Sequence, residues 1–176
     1  MRDAKIWLNP VHKMDKKNKI LAHFNIKNLI CLTVIIITFS FDRLSKIKII
    51  ELFIDNNSLF INDFINLDLV WNTGIGFGLL SNDSYLIYNL ISFTIGIVIL
   101  ILIYVMLLSK NLDKIIYSII IGGAFGNFYD RLVYNAVPDF IDLHYQNFHW
   151  FVFNVADIFI TIGIMILLIS GVFKNN

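Results

Sequence analysis

Four apolar stretches separated by shorter polar or mixed segments dominate the pattern along the chain. The clearest, Ser84 to Ser109 (SYLIYNLISFTIGIVILILIYVMLLS), carries no charge over a length that easily crosses the ~30 Å of hydrocarbon in a bilayer. The first run, Leu29 to Phe41, reaches spanning length when widened to Ile26–Ser45, with Asp42 and Arg43 near its far end. Two further helices are predicted at about 115–133 and 151–173, and both contain ionisable residues where lipid disfavours them. The pattern therefore predicts an all-α integral membrane protein with four transmembrane helices, at about 26–45, 84–109, 115–133 and 151–173. Between the first two helices, Ile47 to Val70 holds β-branched and aromatic residues in partial alternation, broken at Asn56, Asn57 and Ser58. That predicts short strands and a turn, a small extracytoplasmic β element. The later connection, Tyr134 to Trp150, has the aromatic content of a segment lying at the membrane interface.

Charge orients this arrangement. Residues 1–25 carry Arg2, Lys5, Lys13, Lys16, Lys17 and Lys19 and form a basic polar tail, Lys110 and Lys114 fill the short loop between helices 2 and 3, and Lys174 follows helix 4. The positive-inside rule places both termini in the cytoplasm and the connections Lys46–Asp83 and Tyr134–Trp150 outside. Phe41, Asp42 and Arg43 supply no small-residue cleavage site, so helix 1 stays as an anchor. Residues 26–173 are expected to form a single four-helix domain.

Composition agrees. The 176 residues are 57% hydrophobic and 15% charged, with a mean hydropathy of +0.72, well off the soluble balance. A net charge of +1 gives no basic excess for nucleic acid. Cys31, the one cysteine, sits in an apolar run, which removes disulfide and thiol chemistry. The Gly-rich segment Asn72–Gly78 lacks a P-loop lysine, and His144 and His149 stand five apart with no third ligand in view, so neither a nucleotide nor a metal site is expected.

Carboxylate chemistry remains. Asp157, six positions into predicted helix 4, should lie roughly 9 Å from its start at ~1.5 Å per residue, just below the interface. An aspartate there is costly unless neutral, paired or open to a water-filled cavity. Asn154, Asp157 and Thr161 share one helix face at i, i+3 and i+7. On helix 3, Gly122 and Gly126 form a G-x-x-x-G pair, followed by Asn127, Asp130, Arg131 and Tyr134, with Asp130 and Arg131 read most simply as an internal charge pair. Asp42, Arg43 and Lys46 read as an interfacial ion cluster with snorkelling basic side chains. Two neighbouring carboxyls cannot both ionise cheaply, so one can act as general acid while the other activates water. Spacing leaves Asp130, Asp139 and Asp142 all open as the partner of Asp157.

The ordered set Asp42-Arg-Leu-Ser-Lys46, Asn72-Thr-Gly-Ile-Gly-Phe77, Gly122-Gly-Ala-Phe-Gly-Asn-Phe-Tyr-Asp-Arg131, Asp139-Phe140 and Phe153-Asn-Val-Ala-Asp157 resembles the lipoprotein signal peptidases, signal peptidase II. The resemblance spans about Asp42 to Thr161. It implies an aspartic endopeptidase of the bacterial inner membrane that removes prolipoprotein signal peptides on the amino side of a diacylglyceryl-modified cysteine, at a site near the periplasmic face. Its catalytic dyad falls on Asp139 and Asp157. By the same resemblance Asn72, Asn127, Arg131 and Asn154 hold substrate and dyad, while Asp42, Lys46 and Asp130 shape the site. Pro138 before Asp139, the Gly76-Phe-Gly78 stretch and the basic tail depart from the family pattern. The implied partners are lipidated prolipoproteins and membrane lipid, with no cofactor, metal or nucleic acid. The rival from another class, a small proton- or ion-coupled transporter, would want its ionisable residues at the midplane and an inverted repeat, and the chain has neither.

Overall fold

The structure is a computed structural model, and it describes residues 26–54, 58–74, 85–146 and 148–174. The basic tail, Gly76-Phe-Gly78 and the Asn56-Asn57 break lie outside the described residues. Four helices and four strands follow in the order α1 Ile26–Leu52, β1 Ser58–Asn62, β2 Ile65–Asn72, α2 Tyr85–Leu108, α3 Asn111–Tyr134, β3 Val137–Tyr145, β4 Phe148–Phe153 and α4 Val155–Lys174.

The uninterrupted apolar run gives α2 within a residue of its predicted limits. Leu86–Leu108 and Val155–Val172 are each long and apolar enough to cross a membrane. Helix α3 is the centre of the bundle, packing against α1, α2 and α4. Its glycines make that approach possible. A Cβ on Gly122 would stand 2.7 Å from the Thr38 side chain of α1, one on Gly123 would stand 2.8 Å from the Ala156 carbonyl oxygen of α4, and one on Gly126 would collide with the Asp42 carboxylate. Large apolar side chains stand exposed on all four helices, among them Ile36, Phe93, Leu132 and Leu168. An apolar exterior on this scale is what lipid, not water, accommodates.

Three expectations need correction. Helix α1 continues to Leu52, seven residues beyond its predicted end, because Asp42, Arg43 and Lys46 are buried inside the protein instead of marking an exit to water. The β element is larger than one connection. The Tyr134–Trp150 segment, for which no strand was expected, supplies β3 and the start of β4, and the four strands form one antiparallel sheet in the order β1-β2-β3-β4. Residues 151–153 pair in β4, so the last helix begins at Val155 and not at 151. Asp157 is consequently the third residue of α4, in its first turn, and not six positions deep.

The sheet carries the site between the helix ends. Antiparallel pairing sets Val70 opposite Asp139 and Asn72 opposite Val137. Phe140 packs with Ile49 and Phe53 at the end of α1, which fastens β3 to the bundle. Asn135, in the left-handed conformation at φ 53°, ends α3 and turns the chain into β3.

Candidate active site

Asp139 and Asp157 face one cavity of about 340 Å³. Asn72, Asn127, Arg131 and Asn154 supply its other polar walls, and Ile95, Ala124, Val137, Ile160 and Ile164 its apolar ones. Asn154, Asp157 and Thr161 all line it, as their shared helix face predicts.

Asn154 is the N-cap of α4, and with Asp157 it forms a reciprocal capping arrangement. The Asp157 N–H donates to Asn154 Oδ1 at 3.1 Å, and the Asn154 N–H donates to Asp157 Oδ2 at 3.1 Å. Two donors left over by the helix start are satisfied, and the Asp157 carboxylate is fixed by the backbone that carries it. The remaining Asn154 amide reaches across to β3, donating from Nδ2 to Asp139 Oδ1 at 2.5 Å. Asn72 Nδ2 donates to the other Asp139 oxygen at 2.9 Å, while its own Oδ1 accepts from the Gly74 N–H at 2.8 Å. Asn127 Nδ2 donates to Asp157 Oδ1 at 2.8 Å. Among the described residues, both carboxylates are therefore held by neutral N–H donors, and neither forms a salt bridge. Burial foremost, then the charge of Asp157, pushes the Asp139 carboxyl up to about 6 against the opposing pull of the hydrogen bonds from Asn72 and Asn154.

A second polar cluster lies on the other flank of α3. Lys46 Nζ, fully buried, donates to Asp42 Oδ2 at 2.7 Å, to Asn127 Oδ1 at 2.8 Å and to Asp130 Oδ2 at 2.7 Å, using all three of its protons. Arg43 bonds the second Asp130 oxygen, reaches the Tyr134 hydroxyl at 3.3 Å and lies over the Tyr129 ring at 4.6 Å. Asp42 Oδ1 accepts from the Ala156 N–H at 3.0 Å and so satisfies another donor at the start of α4. Two acids meet two bases. Asp130 thus pairs with Lys46 and Arg43, not with its neighbour Arg131. Arg131 turns to the cavity: one guanidinium nitrogen donates to the Gly74 backbone carbonyl at 2.7 Å, another to the Asn127 backbone carbonyl at 3.2 Å, and the buried Nε has no partner among the described residues.

All nine residues singled out by sequence thus gather at one end of the bundle. Asp142, the other open candidate, is buried elsewhere, against His144 and His149. Two features escaped the sequence reading. Asn127 joins the clusters, accepting from Lys46 and donating to Asp157. The Asp142–His144–His149 group needed the β3–β4 pairing to become visible.

A helical bundle with an apolar exterior, capped at one end by a sheet over a carboxylate-lined cavity, defines a membrane enzyme. A bacterial membrane enzyme solved by the in meso method at 2.3 Å superposes with a TM-score of 0.67 at 25% identity, over 83% of this chain and 89% of its own. A second such structure, at 1.9 Å, gives 0.61 over 80% and 90%. The family model described as Signal peptidase (SPase) II matches residues 34–173. A lipoprotein signal peptidase of Pelagibacter ubique is 52% identical over 86% of this chain and 93% of its own. That of Anaplasma phagocytophilum is 35% identical over 85% and 96%. The chain belongs to the signal peptidase II family.

Proposed function

We propose that this protein removes signal peptides from prolipoproteins as an aspartic endopeptidase, cutting on the amino side of the diacylglyceryl-modified cysteine, with Asp139 and Asp157 as its catalytic pair. The observation that carries this reading is the pair itself: two carboxyls facing one cavity, held by amide donors and, among the described residues, in no salt bridge. One carboxylate takes a proton from the attacking water, and the other acid protonates the departing amine as the tetrahedral intermediate collapses. Asn72, Asn127 and Asn154 hold the two carboxyls in register. Arg131, which lines the cavity, is placed to donate to the substrate backbone. Asp42, Lys46 and Asp130 support the site from behind through Asn127 and the start of α4.

Substrate access is consistent with a peptide arriving from lipid. Between α2 and α4, above α3, an apolar groove of about 580 Å³ is lined by Val98, Leu102, Ile120, Leu167 and Leu168, and it shares Ala124, Ile160 and Ile164 with the carboxylate cavity. A signal-peptide helix and acyl chains can lie there without leaving the hydrocarbon. The reading places all four helices across the bacterial inner membrane, both termini in the cytoplasm, and the sheet and cavity near the periplasmic face. The basic residues at the predicted cytoplasmic ends support that orientation.

The test is cleavage of a diacylglyceryl-modified precursor by purified protein, followed by mass spectrometry. Mature lipoprotein is expected with the parent chain and none with Asp157→Asn. Cleavage retained by correctly inserted Asp157→Asn overturns the mechanism.

A further inference from the structure

The carboxylate cavity uses one face of β3. Asp142 and His144 are absent from its walls, and their two-residue spacing puts them together on one face of the strand. Antiparallel pairing sets His144 directly opposite His149 of β4, and the two imidazoles stack at 5.3 Å between centroids. Asp142 Oδ2 lies 2.7 Å from His149 Nδ1 and 3.7 Å from His144 Nδ1. One ligand atom from each of the three residues falls within 4.8 Å of the other two. Two of these side chains are more than nine-tenths buried, Asp142 at 1% exposure and His144 at 8%, yet Asp142 Oδ1 and His144 Nδ1 have no hydrogen-bond partner among the described residues. Buried polar atoms without partners are costly in a folded protein, and here two of them belong to the same group. His149 is 53% exposed and leaves a path from solvent.

We propose that Asp142, His144 and His149 bind a divalent cation of borderline softness, Zn2+ foremost, as a structural clamp on the β3–β4 hairpin. Two imidazole nitrogens and a carboxylate oxygen form a three-ligand donor set for zinc, with water completing the tetrahedron. At Zn–N and Zn–O bonds of ~2.0–2.2 Å, tetrahedral ligand atoms stand about 3.3–3.6 Å apart, so the 2.7 Å Asp142–His149 contact must widen as the metal enters. The cation takes the place of the proton between Asp142 and His149, draws in the unpartnered His144 Nδ1, and releases any proton the imidazoles held. Its place in the fold gives it a role. The strands it joins are those that deliver Asp139, three residues before Asp142, and Asn154, five after His149. Occupancy therefore tightens the hairpin behind the carboxylate pair and touches neither carboxylate.

Metal binding is read directly, so its outcome is independent of whether the chain cleaves any precursor. The full chain is purified without a polyhistidine tag, stripped with chelator and titrated with Zn2+ in competition with a chromophoric chelator. His12 and His23 are the other histidines of the chain, and His149→Ala and His144→Ala separate their contribution. One equivalent of Zn2+ is expected, and loss of either histidine should weaken binding by about 100-fold, at the upper end of what even supporting residues cost a metal site. Co2+ in place of Zn2+ should give the intense visible bands of a four-coordinate site, lost in both variants. The melting temperature of the parent chain should rise with Zn2+ concentration and that of His149→Ala should not. Because His149 is half exposed, its replacement leaves the core packing in place. Zn2+ affinity equal in the parent and in His149→Ala, or Co2+ bands that survive both substitutions, overturns the proposal and leaves an Asp–His hydrogen bond alone.

Discussion

The two flanks of α3 hold the same kind of side chain in opposite states. On one, Asp42 and Asp130 are closed by Lys46 and Arg43, every Lys46 proton is used, and all four residues are buried. On the other, Asp139 is buried and Asp157 half-buried, but both meet amides and face an open cavity. A carboxylate closed by a cation has no further chemistry, since its lone pairs and its charge are spoken for. One held by amides keeps its position and remains able to exchange a proton. The difference teaches how a membrane-embedded protein can hold two acids without neutralising them: the ion cluster supplies rigidity on the far flank, and the asparagines pass on position without neutralising charge.

The contrast breaks hardest on the closed side. Lys46→Met leaves Asp42 and Asp130 with one cation between them in a buried setting, and breaking a buried pair in this way costs about 3–5 kcal/mol. Thermal unfolding in detergent should show a much lower midpoint for this variant, and an unchanged midpoint would mean that the cluster does not stabilise the bundle. On the open side the expected outcome is reversed. Asp139→Asn and Asp157→Asn should each lower cleavage by about 10³-fold, the scale of a lost general acid or base, without the drop in unfolding midpoint expected of Lys46→Met.

How far the sequence exposed this contrast differs from element to element. The uninterrupted apolar run of α2 announced both of its ends. The end of α1 was hidden because Asp42, Arg43 and Lys46 carry the same signal whether they meet water or Asp130, and Asp130 lies in a helix far along the chain. Strand β4 is an aromatic segment without helical or alternating period, and its strand state is set by pairing with β3, a nonlocal fact. The start of α4 was legible after all: Asn154-x-x-Asp157 is a capping pair, and it marks Val155 as the first helical residue. The site residues were named by an ordered family pattern, whereas composition and depth alone left three partners open for Asp157. What no pattern conveyed is the division of labour, with Asp130 turned to the lysine and Asp139 to the cavity.

The contrast also has a signature in pH. The Asp139 carboxyl titrates at about 6 in the folded protein against 3.8 unfolded, so between these values the folded state binds the proton more tightly. Its contribution to stability is fully present below about pH 4 and is lost as the pH rises through 6. At ~1.36 kcal/mol per pH unit the whole span is worth about 3 kcal/mol at most. Asp139→Asn does not titrate. The stability of the variant relative to the parent should therefore rise between pH 4 and pH 7, as read by unfolding midpoints at each pH. A constant difference across that range would show that Asp139 is not held near 6.

The smallest change tests whether the two flanks act as one. Asn127 accepts from Lys46 with its carbonyl oxygen and donates to Asp157 with its amide nitrogen, the two distances both being 2.8 Å. Its replacement by leucine removes both bonds, leaving a buried lysine proton without an acceptor at a cost of about 1–3 kcal/mol. If Asn127 only fills space between helices, Asn127→Leu and Asn127→Ala should lower stability and leave the pH profile of cleavage in place. If it transmits position from the ion cluster to the carboxylate pair, cleavage should fall more than stability does, and the pH profile should change, because Asp157 has lost one of the donors that hold it. Asn127→Asp sharpens the distinction. It keeps the acceptor for Lys46 and replaces the donor to Asp157 with a second carboxylate. Stability close to the parent combined with strongly reduced cleavage would locate the function of Asn127 in the single hydrogen bond that reaches the open side.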